Sequence, residues 1–332
     1  MERRVYDFTD GTFHFFKVFA RRPGATLSLV IWQILLYAVL LIGVVLLFAP
    51  FLTPLIEAAR TNQELSEAEL LAALGQRWAG YAIMVPVLIL LLLMVQGAWL
   101  RLLTHGKPAA FIPFRIGGDE LRLFLVNLVF IVAGYIAFTL LILVTGLAIG
   151  ALGYLMQDGA LPGVVGGLLV TLIAFVAIGF AIFVVLRFAA APAMTVNEGR
   201  FRLFGSVAAT KGIWGWMLLS YLVIFVLVLV GSSLIGGIQF VVLLSGMADY
   251  ITAADLIGQE PDLDELMAML TQRSVLIGLS IVVGLQLLFQ IFVDAAFHGI
   301  GAYPAVMHAK GGFEPDEVTA PSGSVGDAPA EG

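Results

Sequence analysis

Four polar side chains recur at intervals of four along the last long apolar stretch: Gln286, Gln290, Asp294 and His298. On a helix this spacing sets them near one face, with a slow drift around it. A carboxylate among amides and an imidazole could line a solute or proton path. Asp294 is the only acid inside an apolar run long enough to span a membrane, and an ionisable group in that position is a functional hypothesis by default. The competing reading is structural. Asp294 falls about 20 residues into its run, which at ~1.5 Å per residue puts it close to the far interface. Arg101 and Arg187 stand at matching points after two earlier runs, and an ion pair drawn from these three would neutralise the carboxylate. The candidate polar and ion-pair cluster is therefore Asp294, Gln290, Gln286, His298, Arg101 and Arg187.

Other chemistry is sparse. The chain has no cysteine, hence no disulfide framework, thiolate metal site or cysteine nucleophile. The four histidines, His14, His105, His298 and His308, include no helical His-x-x-x-His pair of the kind that holds a metal. A Gly-x-Ser-x-Gly elbow, a zincin motif and a phosphate-binding loop are all missing. No catalytic residue, metal or cofactor is expected.

The elements that position these residues follow from composition. Of 332 residues, 61% are hydrophobic and 12% charged, more apolar surface than a soluble core can hide. A hydrocarbon core of about 30 Å takes roughly 20 apolar residues as a helix. Six runs qualify: 26–51, 80–103, 123–147, 163–186, 214–244 and 274–296. Backbone polar groups in lipid must be satisfied within a helix or a closed barrel, and these continuous runs lack the alternation of barrel strands. The first run starts too late and continues too long for a cleavable leader, so it is expected to act as an uncleaved anchor.

Basic residues orient the bundle, because Lys and Arg resist translocation. Arg3, Arg4, Lys17, Arg21 and Arg22 precede the first run. Arg101, Lys107, Arg115 and Arg122 lie between the second and third, Arg187, Arg200, Arg202 and Lys211 between the fourth and fifth, and Lys310 after the sixth. Of the 17 basic residues only Arg60, Arg77 and Arg273 fall on the opposite side, which is rich in Asp and Glu. Both termini are thus expected in the cytoplasm. The net charge of −6 averages a basic inner face with an acidic outer one, and nothing points to nucleic acid.

Two outer segments carry helix-start signals: Ser66 with Glu69, opening 67–76, and the Pro261-Asp262 start of 261–266. Aromatic and basic residues mix at 13–22 and again at 200–204, as suits helices lying in the headgroup plane. Small residues at Gly146 with Gly150, and Gly163 with Gly167, would permit close helix approach. Each odd run enters and each even run returns, which suggests three parallel two-helix units. The likeness of Arg101-Leu102-Leu103-Thr104-His105-Gly106 to Asp294-Ala295-Ala296-Phe297-His298-Gly299 supports that repeat.

The stretch Leu186-Arg187-Phe188-Ala189-Ala190-Ala191-Pro192, continued by Glu198, Ser206, Lys211 and Gly212, resembles YciC-type bacterial inner-membrane proteins. It is also similar to the membrane domain beside some glycerophosphodiester phosphodiesterases, whose catalytic domain is not expected here because no soluble segment of adequate length remains. The resemblance implies a bacterial inner-membrane location and no defined activity. The expected architecture is all-α: a cytoplasmic interfacial segment (1–25), a six-helix transmembrane bundle (26–310) and a disordered acidic tail (311–332). The expected role is a non-enzymatic module contacting membrane lipids or organising other membrane proteins. A small-solute or ion transporter using the polar stripe is the alternative.

Overall fold

The computed structural model describes residues 6–61, 68, 75, 78–106, 112–159, 162–252 and 272–310. Apart from residues 68 and 75, the predicted 67–76 helix lies outside these, as do the start at Pro261 and the 311–332 tail. Six long helices dominate: α3 (Pro23–Thr61), α4 (Trp78–His105), α5 (Gly118–Gln157), α6 (Gly163–Phe188), α9 (Trp214–Thr252) and α10 (Arg273–Ala309). All six are long and apolar enough to cross a membrane. Short helices α1 (Phe8–Thr12), α2 (His14–Arg21), α7 (Ala191–Glu198) and α8 (Gly205–Ala209) gather at the end where the basic residues lie, and no strand occurs among the described residues.

Packing is concentrated at this basic end. α10 lies at its centre, against α9 most extensively and also against α1, α2, α3, α4, α7 and α8. Its half from Ile291 to Met307 is largely buried, and small residues (Ala295, Ala296, Ala302, Ala305) let neighbours close in. Phe15 of α2 is driven into this core, its ring 5.6 Å from Trp99 and 5.8 Å from Phe292. Thr12 of α1 donates to Ser220 of α9 at 2.8 Å, so a hydroxyl pair is satisfied where water is excluded. Away from this end the helices splay. The α5–α6 hairpin carries exposed Ile131, Leu143, Leu147, Leu172, Phe175 and Val176, and none of the most apolar stretch of either helix is buried within the chain.

The sixth long helix departs from expectation: it does not stop near residue 296 but continues through Pro304 to Ala309, about 22 Å beyond Asp294 at ~1.5 Å per residue. The repeated His-Gly pairs also differ. Gly106 ends α4 at a φ of +63°, whereas Gly299 sits inside α10 with no positive φ, so only the first acts as a left-handed helix stop. A Cβ at Gly299 would lie 3.1 Å from the Phe15 backbone nitrogen, so that glycine serves close approach instead. The 200–204 segment is a loop, not an interfacial helix. Gly199, at a φ of +63°, ends α7, and Arg200 and Arg202 then fold back onto Glu198 at 2.8 and 2.7 Å. Nor do Gly146, Gly150 and Gly167 mediate helix approach within this chain, since a Cβ at each would meet nothing within 4 Å.

Candidate functional site

Asp7, Asp10, His14, Lys17 and Arg21 follow at alternating spacings of three and four along α1 and α2 and line one side of the pair. That side looks onto Tyr303, Val306, Met307 and Lys310, the matching face of α10. Between them lies a cleft of about 300 Å³. Asp7 caps α1 by accepting the Asp10 amide at 2.8 Å, and Lys17 forms an ion pair with Asp10, so the first turn's free donor is satisfied. His14 Nε2 stands 3.0 Å from the Leu103 carbonyl; because a carbonyl only accepts, the proton belongs on Nε2. Burial, helped by Arg21 and Lys310 and opposed by the Leu103 bond and Asp10, holds the His14 pKa below its usual value, as desolvation of a cation must. Arg21 and Lys310 are exposed on the cleft and have no ion-pair partner among the described residues.

A second charged group is sealed inside the bundle. Arg101 of α4 and Glu120 of α5 are 5% and 2% exposed and pair directly through Nη1 and Oε1. Arg101 also donates to the Pro113 carbonyl at 3.3 Å and lies 3.8 Å from Asp119. Asp119 in turn binds Arg115 at 2.7 Å and Arg122 at 3.1 Å. Gly97 makes room for this contact, since a Cβ there would come within 3.0 Å of Glu120 Oε1. The arrangement clamps the end of α4 to the start of α5.

The residues proposed from sequence do not assemble as one cluster. Arg101 is taken by Glu120, not Asp294. Arg187 lies over the Phe183 ring at 6.0 Å, and its carbonyl receives Ser206 and Thr210 hydroxyls at 2.9 and 3.1 Å. Asp294 accepts from Gln290 at 2.8 Å and has no cation within salt-bridge distance among the described residues. Gln286 and Gln290 are exposed on the bundle surface. His298 instead lines a smaller cavity of about 170 Å³, with Leu100, Tyr221, Phe297 and Gly301. The stripe therefore drifts from the lipid-facing side to the interior and does not line one path. Several scattered amides form hydrogen bonds within the bundle: Trp99 donates to Gln33, and Gln33 to Tyr37, at 2.7 and 2.8 Å, while Asn127 donates to Gln96 at 2.7 Å. Such bonds are the usual employment of amides between spanning helices.

With helices and no strands among the described residues, six of the helices long and apolar enough to span, the chain is a multi-pass membrane protein. No family model, curated protein or solved structure matches the chain. Sequence reasoning overlooked Glu120, which reads as a loop acid until the fold brings Arg101 beside it. It also missed the Asp7-to-Arg21 stripe as a unit, although the three–four spacing was visible and reached two acids upstream of the aromatic–basic segment.

Proposed function

We propose that the chain is a non-enzymatic module of the bacterial inner membrane, with both termini cytoplasmic, that contacts lipids or organises other membrane proteins. The observation that carries this reading is the α5–α6 hairpin, apolar and exposed over most of its length. In a bilayer such a surface meets acyl chains or the helix of another protein. The likeness to YciC-type proteins and the basic residues at one end support the location and orientation. Photo-crosslinking side chains at Leu143, Leu172 and Phe175 should yield lipid adducts or discrete heavier bands in cells. Crosslinks returning to this chain's own helices would remove the basis of the reading.

A solute or ion transporter is the second reading, favoured by one observation: Asp294, in a spanning helix, is balanced by an amide and no cation among the described residues, and such acids often mark ion paths. Reconstituted vesicles carrying wild type or Asp294→Asn discriminate the two. A proton or cation flux abolished by the variant would put transport first.

A further inference from the structure

The cleft between α1–α2 and α10 has two properties that together select a ligand. Its lining is bipolar but unbalanced: Lys17, Arg21 and Lys310 face Asp7 and Asp10, leaving one net positive charge when His14 is neutral. His14 donates to the Leu103 carbonyl, and burial and its cationic neighbours hold its pKa below the usual value, disfavouring the charged ring. The acids are already engaged, Asp10 by Lys17 and Asp7 by the Asp10 amide, so they offer little to a cation. The cations Arg21 and Lys310 come from different elements, border the same space and have no acid of their own among the described residues. Two like charges held at one opening repel, and an anion between them relieves that cost.

Location narrows the class. Arg21 is followed within two residues by Pro23, the start of the first spanning helix, and Lys310 ends the last one. The cleft therefore opens where helices leave the bilayer, at headgroup depth, and Val18, Val306 and Met307 give it an apolar wall. We propose that this cleft binds a monoanionic phosphate group, that of an anionic phospholipid headgroup, with Arg21 and Lys310 as its cationic ligands. Guanidinium and ammonium groups suit phosphate oxygens, and the single excess charge matches one phosphodiester. This rests on the lipid-contacting reading and gives it a site.

The test uses the full chain, delipidated in detergent and titrated in native mass spectrometry with phosphatidylglycerol, phosphatidylcholine or inorganic phosphate. Wild type should retain phosphatidylglycerol in preference to phosphatidylcholine. Arg21→Gln and Lys310→Gln should each weaken that binding about tenfold, the loss of one charged hydrogen-bonding partner. Lys310→Arg should restore it, and Arg115→Gln, basic but outside the cleft, should leave it unchanged. These ligand residues are exposed, so the substitutions spare the core. Inorganic phosphate that binds with the same sensitivity and displaces the lipid would keep the phosphate site and overturn its lipid source. Phosphatidylglycerol held equally by all variants would overturn the cleft while leaving lipid contact elsewhere intact. Equal retention of phosphatidylcholine would overturn the anion selectivity, and no retention of lipid or phosphate by wild type would overturn both the cleft and the reading beneath it.

Discussion

Replacing Arg101 by Met removes the cation from a pair whose members are 5% and 2% exposed, and strands the Glu120 carboxylate in the bundle. Breaking a buried pair from one side costs about 3–5 kcal/mol, because the surviving charge has lost its compensation. The structure makes the reciprocal change milder. In Glu120→Gln, Arg101 keeps the Pro113 carbonyl at 3.3 Å and Asp119 at 3.8 Å. At an effective dielectric of 20 a full charge at that separation is worth roughly 4 kcal/mol before screening. Asp119 is already shared with Arg115 and Arg122, so only part of this reaches Arg101. Glu120→Gln should therefore cost about 1.5–3 kcal/mol, the value of one hydrogen bond to a charged group. The double variant Arg101→Met, Glu120→Leu removes both desolvation penalties and should fall within about 1 kcal/mol of wild type. Reversible unfolding in mixed micelles gives the numbers, with wild type, Arg101→Met, Glu120→Leu and the double variant forming a double-mutant cycle. A double variant as unstable as Arg101→Met, or an Arg101→Met protein as stable as wild type, would refute the reasoning.

His14 is held below its ordinary pKa of 6.5, so the folded state favours the neutral ring. Its stability contribution is complete above that value and is lost as pH falls from there through the folded pKa. Unfolding midpoints measured below pH 6.5 should fall less steeply for His14→Gln than for wild type. A Cβ at Gly301 would sit 2.7 Å from the Ala189 carbonyl oxygen, a backbone atom. Gly301→Ala should therefore destabilise by about 1–3 kcal/mol in thermal unfolding. Gly146, by contrast, has open space around it, and Gly146→Ala should be neutral or stabilising by up to about 1 kcal/mol in the same assay. Asn127→Leu loses the bond to Gln96. It should cost about 0.6 kcal/mol in micelle unfolding, the usual size for interhelical polar contacts in a membrane.

The spans were legible because lipid imposes one strong rule: a backbone without water must be helical, and about 20 apolar residues suffice to cross. Their ends were not. The sixth run was expected to end at 296, yet α10 carries on through Gly299 and Pro304, where packing against α1, α2 and α7 outweighs local preference. Polar contacts were less legible still. Gln33 and Trp99 are far apart in sequence, and so are Gln96 and Asn127; only helix rotation decides that each pair meets. Asp294 was expected to be neutralised by Arg101 or Arg187 at matching points of an assumed repeat, whereas Arg101 pairs with Glu120 at the start of the next helix.

The distribution of uncompensated polarity bears on the choice between a transporter and a lipid-directed module. A solute path needs polar groups at successive depths turned toward one space. On α5 and α9 the intramembrane polar residues Tyr135 and Gln239 are exposed on the outside of the bundle. Gln33, Tyr37, Gln96 and Asn127 are engaged with one another or with Trp99. Asp294 is left with Gln290 from its own helix and lines neither of the two basic-end cavities. Arg21 and Lys310, by contrast, border a cleft at the basic end with no acid paired to either among the described residues. Free charge therefore concentrates where helices meet headgroups and thins out along the spans, an arrangement suited to gripping the membrane surface more than to carrying a solute through it.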